Sequence, residues 1–485
     1  MAKKNSLILI VLIAFTAVPV GFAEVIYVDA NSPNDPGTGT ASDPFRRIQD
    51  AINNDGTGSG DEIEIRPGVY TGPGNYNIDP NGFAITIRSI DPNDPDIVAS
   101  TIIDPNRAGR GFDFHTAESR DCVVAGLTIR NGYTVSGTDG GAIICTQGSS
   151  PTIRNCVIVG CGAENAGGGV YCDSSHPRIV NCLIKSNSAG YYGGGVSCVF
   201  SSYGNSPVIA ECVISSNTAG LEGGGIDCGQ SSPTIGNCII SDNVATNGGG
   251  INCFRESEVE LANCTIAKNR ATDFGGALYC QYGGSVQLRN SILWANEASQ
   301  GAQMSLPFLY GQGSSASVYY SNVQEGQAGV SVDPCSTLNW GEGNISEDPN
   351  FAVFGPGVKA NSWDFHLSSK AGRWDASIED WVQDQFTSPC IDTGDPNSDY
   401  AREPWPHGGR VNMGAYGGTR QASMNGNMAD FNIDGAVNLV DFAEFAERWL
   451  SEESCEACIE DLTGDSKVDS TDLAILAYNW LWQAQ

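Results

Sequence analysis

Positive charge is scarce in this chain. Its 485 residues hold 25 Lys plus Arg against 56 Asp plus Glu, a formal net charge of −31, and only four His. That balance repels nucleic acid and anionic lipid, excluding both as partners, and suits a protein that holds divalent cations. Long apolar runs are absent beyond residue 23, so nothing there reaches the ~20 residues needed to cross a bilayer. The mature chain is expected to carry no membrane span. Helical periodicity is missing from the middle of the chain: residues 140–296 show no apolar stripe of helical spacing, which argues against a helical solenoid.

Residues 1–23 read as a secretory signal peptide. Lys3 and Lys4 supply the basic start and residues 7–18 the short apolar run. Gly21 and Ala23 place small residues before a cut at Glu24. A secreted, extracellular protein, free or held at a cell surface, is the expectation.

Glycine is abundant, at 60 residues, and much of it is periodic. GGAIIC at 140, GGGVYC at 167, GGGVSC at 193, GGGIDC at 223, GGGINC at 248 and GGALYC at 275 align. Each is followed by a block such as NCLIKSN or NCIISDN, with a period of 25 to 30 residues, the longest carrying an insertion around 201–205. Short β-branched stretches between glycines and Asn-bearing turns at this period predict one coil of a parallel β-helix per repeat. A propeller blade would need about 40 residues or more.

Two cysteine columns follow. Cys145, Cys172, Cys198, Cys228, Cys253 and Cys280 form one; Cys156, Cys182, Cys212, Cys238 and Cys264 form the other, which ends in Ser291. In-register side chains on parallel strands stand wider apart than a relaxed disulfide prefers, which favours stacked thiols in the core over bridges between coils. A metal array is the sharper alternative, but no His accompanies the columns. Asn187, Asn217, Asn243, Asn269 and Asn296 make a third column, with Cys161 in its place in the first repeat, and read as structural turn residues.

These repeats resemble the right-handed β-helix proteins of the pectin-lyase-like superfamily, including the polymorphic outer-membrane-type repeats. Residues 27–52 (YVDANSPNDPGTGTASDPFRRIQDAI) look like their opening segment, with a short helix at 44–53 capping the first coil. SPCIDTGDP at 388 and VNMGAYGGT at 411 resemble their closing segment. The resemblance spans roughly 25–420 and implies a fold more than an activity, since the superfamily holds lyases, hydrolases, epimerases and non-enzymes. Its lyases use a basic residue with calcium, and its hydrolases use Asp pairs.

No such cluster is legible in the aligned columns. The position before the first cysteine column reads Ile144, Tyr171, Ser197, Asp227, Asn252 and Tyr279. The pairs before the Asn column read Lys185-Ser186, Ser215-Ser216, Ser241-Asp242, Ala267-Lys268 and Trp294-Ala295. The superfamily's polygalacturonase motifs are absent, Thr138-Asp139-Gly140 being a fragment. Asp227, Asp242, Lys185 and Lys268 are the catalytic candidates, with surface solvation as the bland reading of each. Trp340, Trp363, Trp374, Trp381 and Trp405 either stack on sugar rings or, the favoured reading, close the bottom of the solenoid. Cys335 and Cys390 lie outside the ladders and could form a disulfide.

After a polar linker the chain changes to two copies of one unit. DFNIDGAVNLVD (430–441) and DLTGDSKVDSTD (461–472) each lead into a helix. The first is expected to bury Phe442, Phe445, Ala446, Trp449 and Leu450, the second Leu473, Leu476, Ala477, Trp480 and Leu481. Calcium takes oxygens from loop positions 1, 3, 5, 7, 9 and 12. Loop one offers Asp430, Asn432, Asp434, the Ala436 carbonyl, Asn438 and Asp441, with Gly435 at the turn. Loop two offers Asp461, Thr463, Asp465, the Lys467 carbonyl, Asp469 and Asp472, with Ser466 where glycine is wanted. Two Ca2+ sites are expected, the first stronger.

The duplication resembles a type I dockerin, which implies a cohesin-like scaffold partner read through loop positions 10 and 11. Ser470-Thr471 fits that polar pair. Leu439-Val440 does not, which puts a symmetric two-way binding mode in doubt. Cys455 and Cys458 between the loops could bridge locally.

The expected organisation is a signal peptide (1–23), a cap helix with irregular first coils (24–110), regular coils (111–330), a closing segment (331–420), a linker (421–429) and the dockerin-like module (430–485). The fold class is mainly β, a right-handed single-stranded parallel β-helix followed by a small α-helical calcium-loop module. The expected function is to bind or act on polysaccharide or a cell-envelope partner. A polysaccharide lyase or glycoside hydrolase is the enzymatic alternative, and an adhesive or structural solenoid the non-catalytic one.

Overall fold

The computed structural model describes residues 23–481 apart from 136, 202–205, 356, 360–361, 433, 435, 450–457 and 464. The predicted signal peptide, all but Ala23, lies outside the described residues, as do most of the insertion in the third repeat, Gly435, Leu450 and Cys455.

The chain winds into a parallel β-helix. Three ladders of 12, 9 and 10 strands form its faces, and a shorter one of 6 strands fills a corner. The first face runs from Val25–Val28 to Thr337–Trp340, so the coils stack through the segment expected to be irregular. Register is held rung by rung: Ile153, Ile179, Ile209, Ile235 and Leu261 pair in sequence on one face. Ile158, Ile184, Ile214, Ile240 and Ile266 do so on another. All are almost fully buried. Alternation of inward and outward side chains sets this register, because a slip of one residue would turn every Ile outward. Each buried Ile contributes roughly 1.5–3 kcal/mol over leaving it exposed.

Both cysteine columns are core ladders. Cys145 through Cys280 pair in register on the nine-stranded face, and all eleven ladder cysteines are free and buried. In the second column the thiol of Cys182 reaches the Val180 carbonyl oxygen at 3.3 Å and that of Cys212 reaches Ala210 at 3.2 Å. Ser291 continues the column, accepting the Cys264 N–H at 3.0 Å. The asparagines form a hydrogen-bonded ladder beside them. Asn217 Oδ1 accepts both the backbone N–H of Asn187 (2.9 Å) and its amide Nδ2 (3.1 Å), and Asn243 does the same for Asn217. The residue before each Asn turns the corner in the left-handed region: Ser186, Ser216, Asp242 and Lys268 have φ of 54° to 58°. The Cys161 N–H bonds to Asn187 Oδ1, so the ladder starts where sequence put a cysteine.

The cap is a helix at Ile48–Ile52, within the expected 44–53, and its Ile48, Ala51 and Ile52 seal the first coil. Its counterpart at the far end is Leu338 and Trp340, packed against the last core layer. The rest of the closing segment behaves differently from expectation. Phe351, Phe365, Leu367, Ile391 and Met413 pack on the outward-facing Ile239, Ala267 and Ile292. The segment therefore covers the flank of the ten-stranded face instead of its bottom. Trp363 packs among its phenylalanines, Trp374 pairs with Trp381 across a hairpin, and all five tryptophans are half-buried. The proposed Cys335–Cys390 bridge is corrected. Both are free, Cys335 on an exposed turn and Cys390 buried, where its sulfur accepts from Asn322 Nδ2 at 3.0 Å.

The C-terminal unit has its own core of Phe431, Val437, Phe445, Leu462, Val468 and Leu476, with Trp405 packed against it from the closing segment. Its helices span Leu439–Arg448 and Ser470–Tyr478. The expected stripes are mostly not buried: Phe445 and Leu476 are, Trp449 and Leu473 partly are, while Phe442, Ala446, Ala477, Trp480 and Leu481 are exposed. Loop side chains such as Phe431 and Leu462 fill the space the helices were expected to fill. Cys458 is disulfide-bonded.

Candidate active site

The glycine triplets turn the corner that leads into strands of the nine-stranded face. The first glycine of each has positive φ, 61° at Gly193 and 66° at Gly223. A Cβ at Gly223 would lie 2.4 Å from the Ile226 carbonyl oxygen and 2.9 Å from Asp227 Cα, so only glycine turns this corner. The turn folds the residue before the triplet back beside the residue before the cysteine. Two outward columns result: Tyr192, Glu222 and Asn247 bridge in register, and so do Ser197, Asp227, Asn252 and Tyr279.

Between these columns two carboxylates meet. Asn252 Nδ2 donates to Asp227 Oδ1 at 2.7 Å and to Glu222 Oε2 at 3.2 Å. Ser197 Oγ lies 3.3 Å from Asp227 Oδ2, and Gln281 Nε2 donates to Asn252 Oδ1 at 3.4 Å. Asp227 is 4% exposed, and Glu222 lies over it, half-buried. Burial, with Glu222 adding to it and the Asn252 and Ser197 bonds opposing it, pushes Asp227 up to about 7. Burial likewise raises Glu222, against the Gln281 and Asn252 bonds. Two acids sharing one amide, one of them buried, do not both ionise readily, and the proton is held on Asp227 up to about pH 7. An arrangement of this kind can deliver a proton from one carboxyl and accept one at the other.

Of the residues singled out from sequence, Asp227 belongs to this pair and the other three lie away from it. Lys185 ends a strand of the ten-stranded face. Asp242 sits at the next corner, accepting from Ser216 Oγ at 2.8 Å. Lys268 lies over the ring of Phe354, 5.9 Å from its centroid, under the closing segment. Asp227, Asp242 and Lys185 therefore share no face: Asp227 lies on the nine-stranded ladder, Lys185 on the ten-stranded one and Asp242 at the corner that follows it. Glu222 was missed. Its signal was its place before a glycine triplet, five residues ahead of Asp227.

The C-terminal loops share one pattern. The Asp434 N–H donates to Asp430 Oδ1 (3.1 Å) and the Asp465 N–H to Asp461 Oδ1 (3.2 Å). Asp441 and Asp472, both wholly buried, each close a capping box with Asn438 and Asp469. Asp441 Oδ1 also accepts the Phe431 N–H, and Asp472 Oδ1 the Thr463 N–H. Asn432 and Asn438 turn their amide nitrogens to Asp434 Oδ2. Ser466 adopts φ of 68°, the left-handed turn its position was expected to demand. Among the described residues no group of three His, Cys, Asp or Glu is drawn together as a metal cluster. The oxygen-only donor set of the two loops suits a hard cation. Leu439, Val440, Ser470 and Thr471 are all exposed.

Comparison with solved structures gives a pectate lyase, Pel9A, at TM-score 0.51 and 14% identity, over 84% of this chain and 98% of that one. A lacto-N-biosidase from Eubacterium ramulus aligns at TM-score 0.36 and 11% identity, over 67% of this chain and 68% of that one. A rhamnogalacturonan lyase aligns at TM-score 0.29 and 15% identity, over 69% and 91%. At 14% identity the likeness to the pectate lyase is one of fold. No curated protein matches the sequence. The family model for the right-handed beta helix region matches residues 77–233 and 198–366. That span exceeds half of the chain, and with the stacked parallel ladders it places this protein in the right-handed β-helix family.

Proposed function

We propose that this protein acts on polysaccharide at the Asp227–Glu222 pair and is tethered by its C-terminal unit. The observation that carries the reading is the single Asn252 amide shared by two desolvated carboxyls. In hydrolysis, the half-buried Glu222 faces the glycan and the pair's proton passes to the glycosidic oxygen as the bond from the anomeric carbon to that oxygen breaks. Water adds its hydroxyl to the anomeric carbon, and its proton returns to the pair. The pectate lyase of like fold lends support to a polysaccharide substrate.

The tether is read as a dockerin-like module with two Ca2+ sites. Asp430, Asn432, Asp434, Asn438, Asp441 and the Ala436 carbonyl would hold one ion. Asp461, Thr463, Asp465, Asp469, Asp472 and the Lys467 carbonyl would hold the other. Calcium there would supply order, and a cohesin-like partner would meet Ser470-Thr471 and the apolar Leu439-Val440. Export by the signal peptide read at residues 1–23 would put this activity outside the cell.

The test is depolymerisation of a broad polysaccharide panel by the mature protein, reading new reducing ends and unsaturated products. Product release that drops at least ~100-fold in Glu222→Gln is expected; activity unchanged in that variant overturns the assignment of the site.

A further inference from the structure

The side chains around the acid pair are neutral or aromatic. Every hydrogen-bond partner of Asp227 and Glu222 is neutral: Ser197, Asn252 and Gln281. The basic residue on this stretch, Arg255, lays its guanidinium over the Phe254 ring, 4.9 Å from the centroid. Further along the face, Arg110 is held by Asp113 at 2.7 Å. A sugar carboxylate brought to the pair would meet two acids and, among the described residues, no cation hydrogen-bonded to either.

Aromatic side chains flank the same place. Phe254 meets Tyr282 edge-on at 5.1 Å, and Tyr282 stacks on Tyr310 at 5.2 Å with planes 13° apart. Tyr310 is 86% exposed, with its stack running along the solenoid. On the other side Phe274 stacks on Tyr279 at 6.0 Å. The column next to Asp227 is interrupted where it passes the acid. It reads Val199, Gly229 and Phe254, and a Cβ on Gly229 would meet Val199 and Phe254 only at 3.4 and 3.9 Å. Aromatic faces bind the C–H faces of sugar rings and orient them without any charge.

We infer that the glycan taken at this acid pair is uncharged, not a polyuronate, and runs along the solenoid axis from Glu222 to the Tyr282–Tyr310 stack. The inference rests on reading the acid pair as a glycan site. It also assigns the chemistry: an uncharged sugar lacks the carboxyl that acidifies the adjacent C–H, so β-elimination is closed to it and the bond must be cut by addition of water.

The experiment compares polymers of one backbone with and without charge. Polygalacturonate and its carboxyl-reduced, neutral form, together with a panel of neutral plant and bacterial glycans, are offered to the full chain by affinity electrophoresis and product analysis. Native protein, Glu222→Gln and Tyr310→Ala are compared throughout. Binding and cleavage of a neutral polymer are expected, with polyuronate at least ~10-fold weaker and the gap narrowing as salt rises. Tyr310→Ala should weaken the neutral polymer by ~10-fold, the loss of one ring contact. Polyuronate bound as tightly as neutral polymer, or unsaturated products, overturns the inference, as does an unaffected Tyr310→Ala. The site itself then still stands if Glu222→Gln abolishes cleavage. Cleavage indifferent to Glu222→Gln, or no polymer bound at all, removes the reading beneath it as well.

Discussion

Asn252 Nδ2 lies 2.7 Å from Asp227 Oδ1, one rung along the nine-stranded face. That bond, between outward side chains that are nevertheless buried, ties the acid pair to the stacking of the coils. Removing the amide should be felt in both stability and activity. Asn252→Ala leaves the buried Asp227 and the half-buried Glu222 short of a donor and is expected to cost about 1–3 kcal/mol. Asn252→Asp, which adds a third acid, should cost more. Chemical denaturation of the two variants ranks them, and equal stability of both with the native chain contradicts the shared bond.

The proton on Asp227 makes stability depend on pH. Its folded value, raised chiefly by burial to about 7, stands above the ordinary 3.8. Between those values the folded chain holds a proton that the unfolded chain has released. The contribution of the neutral acid is therefore complete below the ordinary value and is lost as pH rises through about 7. Asp227→Asn cannot ionise and escapes that loss. Relative to the native chain it should gain about 3 kcal/mol between about pH 4.5 and about pH 8.5. Melting curves at both ends measure the difference, and a pH-independent gap removes the buried acid.

Thiol accessibility checks the ladders. Burial raises Cys228 well above the ordinary thiol range, and its neighbours in the column are equally enclosed. Among the described cysteines that are free, only Cys335 is exposed. Alkylation of the native protein followed by peptide mass mapping should label Cys335 and spare the ladders, which react once the chain is unfolded. Ladder cysteines that stay unreactive until a reductant is added would be disulfides instead.

The asparagine column should be among the costliest places to substitute. Asn217 accepts two N–H bonds from Asn187 and donates to Ile184 and Asn243. Asn217→Ala strands buried backbone groups on both sides and is expected to cost about 3 kcal/mol or more. Asn217→Asp keeps the acceptor and loses the donor, so comparing the two variants by denaturation separates the contributions.

Calcium should act on the C-terminal unit of the intact protein. Titration calorimetry is expected to show two sites of unequal affinity, the tighter removed by Asp430→Ala combined with Asp434→Ala. Heat of binding absent from the native chain, or untouched by the double variant, rules out the first loop.

The solenoid was legible because its signals are local and repeated. Glycine triplets, alternating Ile and the Cys and Asn columns each mark one position of a coil, and stacking multiplies the same contact. The cap at Ile48–Ile52 was legible for a related reason, since an open core needs cover. The failures share the opposite property. Where 351–420 packs depends on outward residues such as Ile239 and Ile292, which look like ordinary strand residues in a row of letters. The exposed Phe442 and Trp480 failed because loop residues, not helix faces, fill the small C-terminal core.

The amino-acid order alone determined the coil, its period, the inward ladders and the two matched acidic loops, because each follows from spacing along the chain. The partnership of Glu222 with Asp227 was decided only by tertiary structure. It needs a positive-φ glycine corner to fold one column onto the next, and a neighbouring coil to deliver Asn252 between them. The desolvation that keeps a proton there belongs to the packed coils, and no single residue carries it.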